Sequence, residues 1–518
     1  MADRTTGKQA LMMLLVASLS LALPMAGSVA KAESGQGPVV ATDLGKVRGV
    51  AIGKGAAWRG IPFAAPPVDA LRWREAQAAK PWSDIRDATR FGPDCIQPVQ
   101  EGEASALQSE DCLTLAVITP DRAAHGLPVL VSVHGGAFFV GSGRYITEHN
   151  LSPMVRRGII LVSANYRLGR LGFFAHPALT AEAGRGTGNF WLSDQIAALD
   201  WVKRNIRSFG GDPDQVTILG CSAGGSSINA LMASPMARGL FARASTHSGG
   251  GLFNASRSLA QAEREGLAFA GRAGVTDASA TGLAALRRLS PQAILAGDPG
   301  PPNFGAIEDG HLLPEAISLI FAEGKQAAVP FIAGSTSNEA SIFGLMGFDA
   351  GVLKQRFGVD LAEIRPLYEA NGPLSDAELL RRVQTDFIFT SASMGMPALA
   401  SRRAPAWSYH FDYVPQADRT AMPGAPHCAD MDYLFGLRDR MTSQDEKVAG
   451  VWRDYWANFI RSGNPNGEGL PDWPGLAAHK LSPLVIDDRF HAEPGFEQGI
   501  ISYWYARWQK ESGAKILP

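Results

Sequence analysis

Ser222 stands in the pentapeptide Gly220-Cys221-Ser222-Ala223-Gly224, with the apolar run Val216 to Leu219 leading in and a helix-compatible run, Gly225 to Ala233, leading out. A serine on a sharp strand-to-helix turn has its hydroxyl lifted clear of the backbone, and small flanking residues let strand and helix approach closely. The chemistry this predicts is nucleophilic attack on an acyl carbon. Such attack needs a base, an acid to orient that base, and N–H donors for the developing oxyanion. A lone G-x-S-x-G arises by chance in many proteins, so the partners decide.

Donors are expected from His134-Gly135-Gly136-Ala137-Phe138, which ends the strand-like run Val129 to Val133 and precedes Gly141-Ser142-Gly143. Glycines after a strand let backbone N–H groups converge without interference from Cβ atoms. Gly136 and Ala137 are assigned as two donors and Ala223 as the third; the plainer alternative is a glycine-rich turn without a chemical role. For the base, chain order Ser, acid, His leaves four of the ten histidines: His410, His427, His479 and His491. His410 alternates within a strand pattern, Trp407 to Phe411, and His479 and His491 lie in polar segments without a glycine-rich turn. His427, in Gly424-Ala425-Pro426-His427-Cys428, has the loop a base requires. Glu339 is the preferred acid, because Gly334-Ser335-Thr336-Ser337-Asn338 carries it past the strand-like run Val329 to Ala333. Asp309, in Glu308-Asp309-Gly310, is its rival and reads more simply as a turn.

The elements that must position these residues alternate. Apolar runs at 129–133, 159–164, 216–219 and 329–333 suit strands buried on both faces. Between two of them Ile196, Leu199, Val202 and Ile206 form one apolar helical stripe, led in by Asp194 and ended by Gly210-Gly211. This predicts an α/β fold with a mostly parallel sheet. A hairpin is expected at Val39–Val50, helical insertions over the strand ends around 255–325 and 350–400, and a last helix from Glu446 to Arg461. The 518 residues are 46% hydrophobic and 19% charged, with a formal net charge of -2. That balance gives no electrostatic case for nucleic acid or an anionic membrane. The sequence has no zinc-type Cys/His cluster, and the expected chemistry needs no metal or cofactor.

Arg4 and Lys8 precede an apolar stretch, Leu11 to about Ala26, and Ala30-Lys31-Ala32 follows. This has the form of a secretory signal peptide, residues 1–32, leaving a single domain over 33–518 in the periplasm or outside the cell. A membrane anchor is the alternative, but the stretch is broken by Ser18, Ser20 and Pro24. No other segment is apolar enough to span a bilayer. Export allows Cys95, Cys112, Cys221 and Cys428 to pair, and the sequence alone leaves the three possible pairings open.

Together these segments resemble the type-B carboxylesterase/lipase family, which includes cholinesterases and bacterial para-nitrobenzyl esterases. The resemblance also rests on Arg59-Gly60-Ile61-Pro62-Phe63-Ala64, Ser109-Glu110-Asp111-Cys112-Leu113, Asn165-Tyr166-Arg167 and Phe209-Gly210-Gly211-Asp212-Pro213. It continues through Gly239-Leu240-Phe241 and Gly463-Asn464-Pro465-Asn466. It implies the α/β-hydrolase fold, a triad of Ser222, Glu339 and His427, and oxyanion donors Gly136, Ala137 and Ala223. It also implies a disulfide between Cys95 and Cys112, and a supporting role for Ser248. Two residues depart from the pattern. The family usually has Glu at the place of Cys221 and commonly Gly at that of Cys428. One precedes the nucleophile and the other follows the base, so a working Ser–His pair brings them close. A second disulfide, Cys221–Cys428, is therefore expected, in an arrangement similar to that of tannases and some feruloyl esterases; two buried free thiols are the alternative.

The expected activity is hydrolysis of small to medium esters through an acyl-enzyme. Residues 96–111 lack the aromatic side chain that cholinesterases use to hold a quaternary ammonium. Phe138, Phe139, Phe190 and Trp191 are candidates for an apolar acyl pocket, or else are core. The cysteine pair favours aromatic-acid esters. An amidase or lactone hydrolase would use the same triad. A non-catalytic binding protein on this fold would have lost at least one of its members.

Overall fold

The computed structural model describes residues 37–98, 107–147, 152–253, 256–298, 304–344, 347–476 and 481–515. The expected leader and His479 lie outside these. Eleven strands form the main sheet. In chain order they are β1 (Val50–Ile52), β2 (Gly55–Pro62), β3 (Thr114–Thr119), β4 (Leu127–Val133), β5 (Ile160–Ala164), β6 (Gly211–Cys221), β7 (Arg243–His247), β8 (Phe331–Thr336), β9 (Ala406–Phe411), β10 (Leu484–Ile486) and β11 (Phe490–Ala492). Their spatial order is β11-β10-β9-β8-β7-β6-β4-β5-β3-β2-β1. The run from β10 to β5 is parallel throughout, and antiparallel pairs close both edges.

Central strands are buried on both faces, and their residues divide with period two. Val129, Val131, Ile218 and Phe331 join one apolar cluster, while Leu130, Leu219 and Ile332 join the other. The first face is covered by α1 (Phe190–Asn205), α2 (Ala223–Ala233) and α3 (Ser391–Ala400). A short helix, α4 (Ala429–Phe435), follows the loop of His427, and α5 (Ser443–Ser462) packs its Trp452, Trp456 and Phe459 on the second face. Fully burying one such side chain contributes about 2 kcal/mol.

Helix α1 begins at Phe190, ahead of the expected Asp194, because Asp194 does not cap it. The Asp194 carboxylate is wholly buried and meets the Arg167 guanidinium at 2.7 Å. The helix tightens into a 3₁₀ turn over Ile206–Phe209 and stops at Gly210, whose φ of 91° suits only glycine. Helix α5 starts earlier than expected, on a reciprocal Thr442–Asp445 capping box. It is not the last helix: α6 (Gln498–Ser512) follows, with Ile501, Trp504, Tyr505 and Trp508 as its buried stripe.

Both stretches expected to be helical hold helices. In the first, Phe269, Leu283, Leu286 and Ile294 form a satellite cluster with Trp73, Phe174 and Phe190. In the second, α3 does not lie over the strand ends. It is buried all round and packs on β8 and β9 as the crossover between them, because its residues are small or apolar on every side.

Candidate active site

Cys221, His247, Gly334 and Tyr409 are register partners across β6, β7, β8 and β9, one row at the carboxyl ends of the strands. Whatever follows each strand therefore emerges along a common edge. Ser222 follows β6 with φ 59° and ψ −127°. For a residue with a side chain, such a conformation costs about 1–3 kcal/mol and persists only where neighbours enforce it. Here the Ser222 N–H donates to the His247 carbonyl at 3.0 Å, and its own carbonyl accepts from Ser226 N at 2.9 Å. A Cβ on Gly220 would stand 2.5 Å from the Gly224 carbonyl group, and one on Gly224 would stand 2.2 Å from the Val133 carbonyl oxygen, so the turn closes only with glycine at both positions.

After β4 the chain turns through Gly136, Ala137 and Phe138, all at positive φ (103°, 53° and 60°). Among the described residues the amides of Gly136, Ala137 and Ala223 have no backbone acceptor. His134 anchors this loop. Its ring stacks on Tyr166 at 4.2 Å, its Nδ1–H donates to the Gly135 carbonyl at 2.9 Å, and Tyr166 OH donates to its carbonyl. Burial pushes His134 down to about 4, so the ring is neutral.

Glu339 follows β8 in a 3₁₀ turn and is fully buried. Its Oε1 accepts the Thr336 N–H at 2.7 Å, and its Oε2 accepts from His427 Nδ1. His427 Nε2 is buried and has no hydrogen-bond partner among the described residues. Several ties join the Glu339 and His427 loops: Asn338 N–H to the Ala425 carbonyl at 2.9 Å, Ala425 N–H to Ser337 Oγ at 2.9 Å, and His427 N–H to Ser341 Oγ at 3.0 Å. The rival Asp309 is occupied elsewhere. Its carboxylate accepts from Asn189 Nδ2 and from the His311 and Leu313 amides, which makes it an organiser of its own turn.

Both disulfides are formed. Cys95 pairs with Cys112, and Cys221 pairs with Cys428 with Cα atoms 6.1 Å apart. The second joins the residue before Ser222 to the residue after His427.

The sequence matches the Carboxylesterase family over residues 36–367 and 363–504. It is similar to the para-nitrobenzyl esterase of Bacillus subtilis (strain 168), with 33% identity over 88% of this chain and 96% of the relative. It is also similar to a fumonisin B1 esterase of Sphingopyxis macrogoltabida, with 34% identity over 84% and 83%. A solved para-nitrobenzyl esterase structure superposes with a TM-score of 0.79 at 30% identity, covering 89% of this chain and 99% of that one. The chain belongs to the carboxylesterase family. Its fold is the α/β-hydrolase fold, and its reaction is the hydrolysis of carboxylic esters.

In this carboxylesterase the four aromatic candidates do not act alike. Phe138 and Trp191 lie 4.9 Å apart and pack with Phe173 in the main core. Phe190 packs in the satellite cluster, with the Arg167 guanidinium 5.3 Å from its ring. Phe139 is only half-buried and stacks on Phe304 at 5.9 Å. Ser248 has φ 47° and donates its N–H to the Gly334 carbonyl at 2.8 Å; its Oγ is buried, with no hydrogen-bond partner among the described residues.

Sequence reasoning missed Phe304, and it missed Phe389, whose ring lies 5.1 Å from that of His427. Phe389 sits in a single π turn, Asp386–Thr390, just before α3, and no local pattern announces it. It also missed the Ser337 and Ser341 hydroxyls, although their spacing around Glu339 was visible. Among the described residues no helix is long and apolar enough to cross a membrane.

Proposed function

We propose that this carboxylesterase acts through Ser222 as nucleophile, His427 as base and Glu339 as the orienting acid, on esters of aromatic or other planar acids, after export to an oxidising compartment. His427 Nε2 takes the hydroxyl proton as Ser222 Oγ bonds to the acyl carbon. The amides of Gly136, Ala137 and Ala223 receive the oxyanion. The C–O bond to the alcohol then breaks and His427 returns the proton to the departing oxygen. Water repeats the sequence: His427 takes its proton, the oxygen adds to the acyl carbon, and Ser222 leaves with the proton restored.

The observation that carries this reading is the Glu339–His427 pair with its second nitrogen unengaged, on a loop bonded through Cys428 to the residue beside Ser222. The planar-acid preference is supported by Phe139 with Phe304 on the oxyanion side and Phe389 on the base side. Export, with cleavage after Ala32, is supported by the charged-apolar-small pattern of residues 1–32 and by the two disulfides. A fluorophosphonate label followed by peptide mapping tests the nucleophile. Modification of Ser222, with Ser222→Ala inactive, is the expected result; full esterase activity in Ser222→Ala would overturn the mechanism. A panel of esters graded by acyl size and planarity tests the substrate class.

A further inference from the structure

Behind the elbow lies a second histidine–carboxylate pair that the acyl-transfer steps leave unused. His247 Nδ1 is 2.5 Å from Asp430 Oδ2, and Tyr409 OH donates to the same oxygen at 2.6 Å. The side chains of His247 and Asp430 have no solvent exposure. Trp456 packs 4.6 Å from the His247 ring, and Trp452 Nε1 donates to the Asp430 carbonyl at 3.2 Å. Apolar residues of similar volume would usually stabilise such a place as well or better, so stability alone is a weak reason for the group.

Its placement gives a stronger one. The Ser222 N–H is held by the carbonyl of His247 itself. Asp430 lies three residues past His427 and two past Cys428, in the first turn of α4. Cys221, His247 and Tyr409 share the register row described above, so one short segment, 428–430, meets that row twice: through sulfur at Cys221 and through a carboxylate at His247 and Tyr409. Gly334 completes the row. A Cβ there would stand 2.0 Å from Tyr409 Cε1, so the phenol occupies the space a side chain on β8 would need. One attachment leaves a segment free to swivel about it; two fix its orientation as well. Cys428, between the two, is held at φ 63°.

We infer that Asp430 is a positioning residue for ester hydrolysis: paired with His247 and Tyr409, and acting in parallel with the Cys221–Cys428 bond, it holds the His427 loop in register with the Ser222 elbow. The inference rests on the Ser222–His427 reading. Two parallel ties mask one another, so each matters more when the other is gone.

The test uses the full chain, with kcat and KM measured on a nitrophenyl ester and kcat expressed per serine titrated by fluorophosphonate. Asp430→Asn and Tyr409→Phe are each made on the native background and on Cys221→Ala/Cys428→Ala. Asp430→Asn is expected to lower kcat about tenfold on the native background and about a hundredfold on the cysteine-free one, with KM within about twofold. Tyr409→Phe, which keeps the His247–Asp430 contact, gives a smaller loss with the same background dependence. The inference is overturned if kcat per titrated serine stays within about twofold in both backgrounds, whatever happens to the melting temperature. Should Asp430→Asn fail to fold, equal kcat for Tyr409→Phe and its parent in both backgrounds has the same meaning. Activity surviving in Ser222→Ala would instead remove the reading on which the inference stands.

Discussion

Two histidine–carboxylate pairs flank the Ser222 elbow, and they are built from the same groups to different ends. In His427–Glu339 the histidine stands on a loop, the carboxylate's other oxygen is held by one backbone amide, and the side chain keeps 5% exposure. In His247–Asp430 the histidine ends a strand, one carboxylate oxygen receives both the imidazole and a phenol, and the side chains are sealed against Trp456. Among the described residues neither Nε2 has a hydrogen-bond partner. The first histidine stands on a loop past the strand ends, whereas the ring of the second packs 4.6 Å from Trp456. A histidine–acid hydrogen bond is therefore not itself a signature of catalysis. What matters is whether the other nitrogen opens on a space where a substrate can sit.

The largest expected difference between the pairs is in rate. His427→Ala is expected to lower kcat about 10⁴-fold or more while the protein still folds, and Glu339→Gln about 10³-fold, since an amide favours the wrong imidazole tautomer. His247→Ala should do the reverse: a loss of about 3–5 kcal/mol in stability from stranding the buried Asp430, with a far smaller change in kcat per titrated serine. Urea unfolding and single-turnover rates on the same preparations separate the two. Equal rate losses in both pairs would break the distinction.

Removing the covalent tie between them comes next. The Cys221–Cys428 bond closes a loop of 207 residues, and the chain-entropy model gives roughly 5 kcal/mol for such a closure. Cys221→Ala/Cys428→Ala should therefore unfold at much lower urea than the native chain. The Cys95–Cys112 bond spans only 17 residues, about 3 kcal/mol on the same model, so its loss should cost less. The reverse ranking would show that native-state geometry, not loop length, governs both.

The first pair, with Ser222 beside it, was legible in the sequence because these three residues sit in local patterns: Ser222 between a strand and a helix, His427 in a proline–glycine loop, Glu339 just past an apolar strand. The second was not. His247 and Tyr409 read as ordinary strand residues, and Asp430 as an acidic residue in a helix's first turn. Only the register of β7, β8 and β9 brings them together, and register is a property of the assembled sheet. The same limit explains α3. Its apolar run announces burial, but which surface buries it is decided by the crossover from β8 to β9. Phe190 shows the opposite hazard, an aromatic candidate for the acyl pocket whose ring packs in the satellite cluster.

Another carboxylate, Asp386, pairs with no histidine among the described residues. It occupies the π turn near Tyr368 and Thr390; burial chiefly, with Glu497 acting in the same direction, raises it to about 7. An acid whose folded value is raised binds its proton more tightly in the folded chain. Its contribution is complete below about pH 4 and is lost as the pH climbs through 7. Asp386→Asn, neutral at every pH, should match the native chain in stability near pH 3 and exceed it near pH 8. The residue keeps some solvent contact, so the gain is set at about 2 kcal/mol, half of what a full shift would convert to. Unfolding curves at the two pH values measure it. A difference that stays constant with pH would mean that burial does not raise Asp386 in the folded chain.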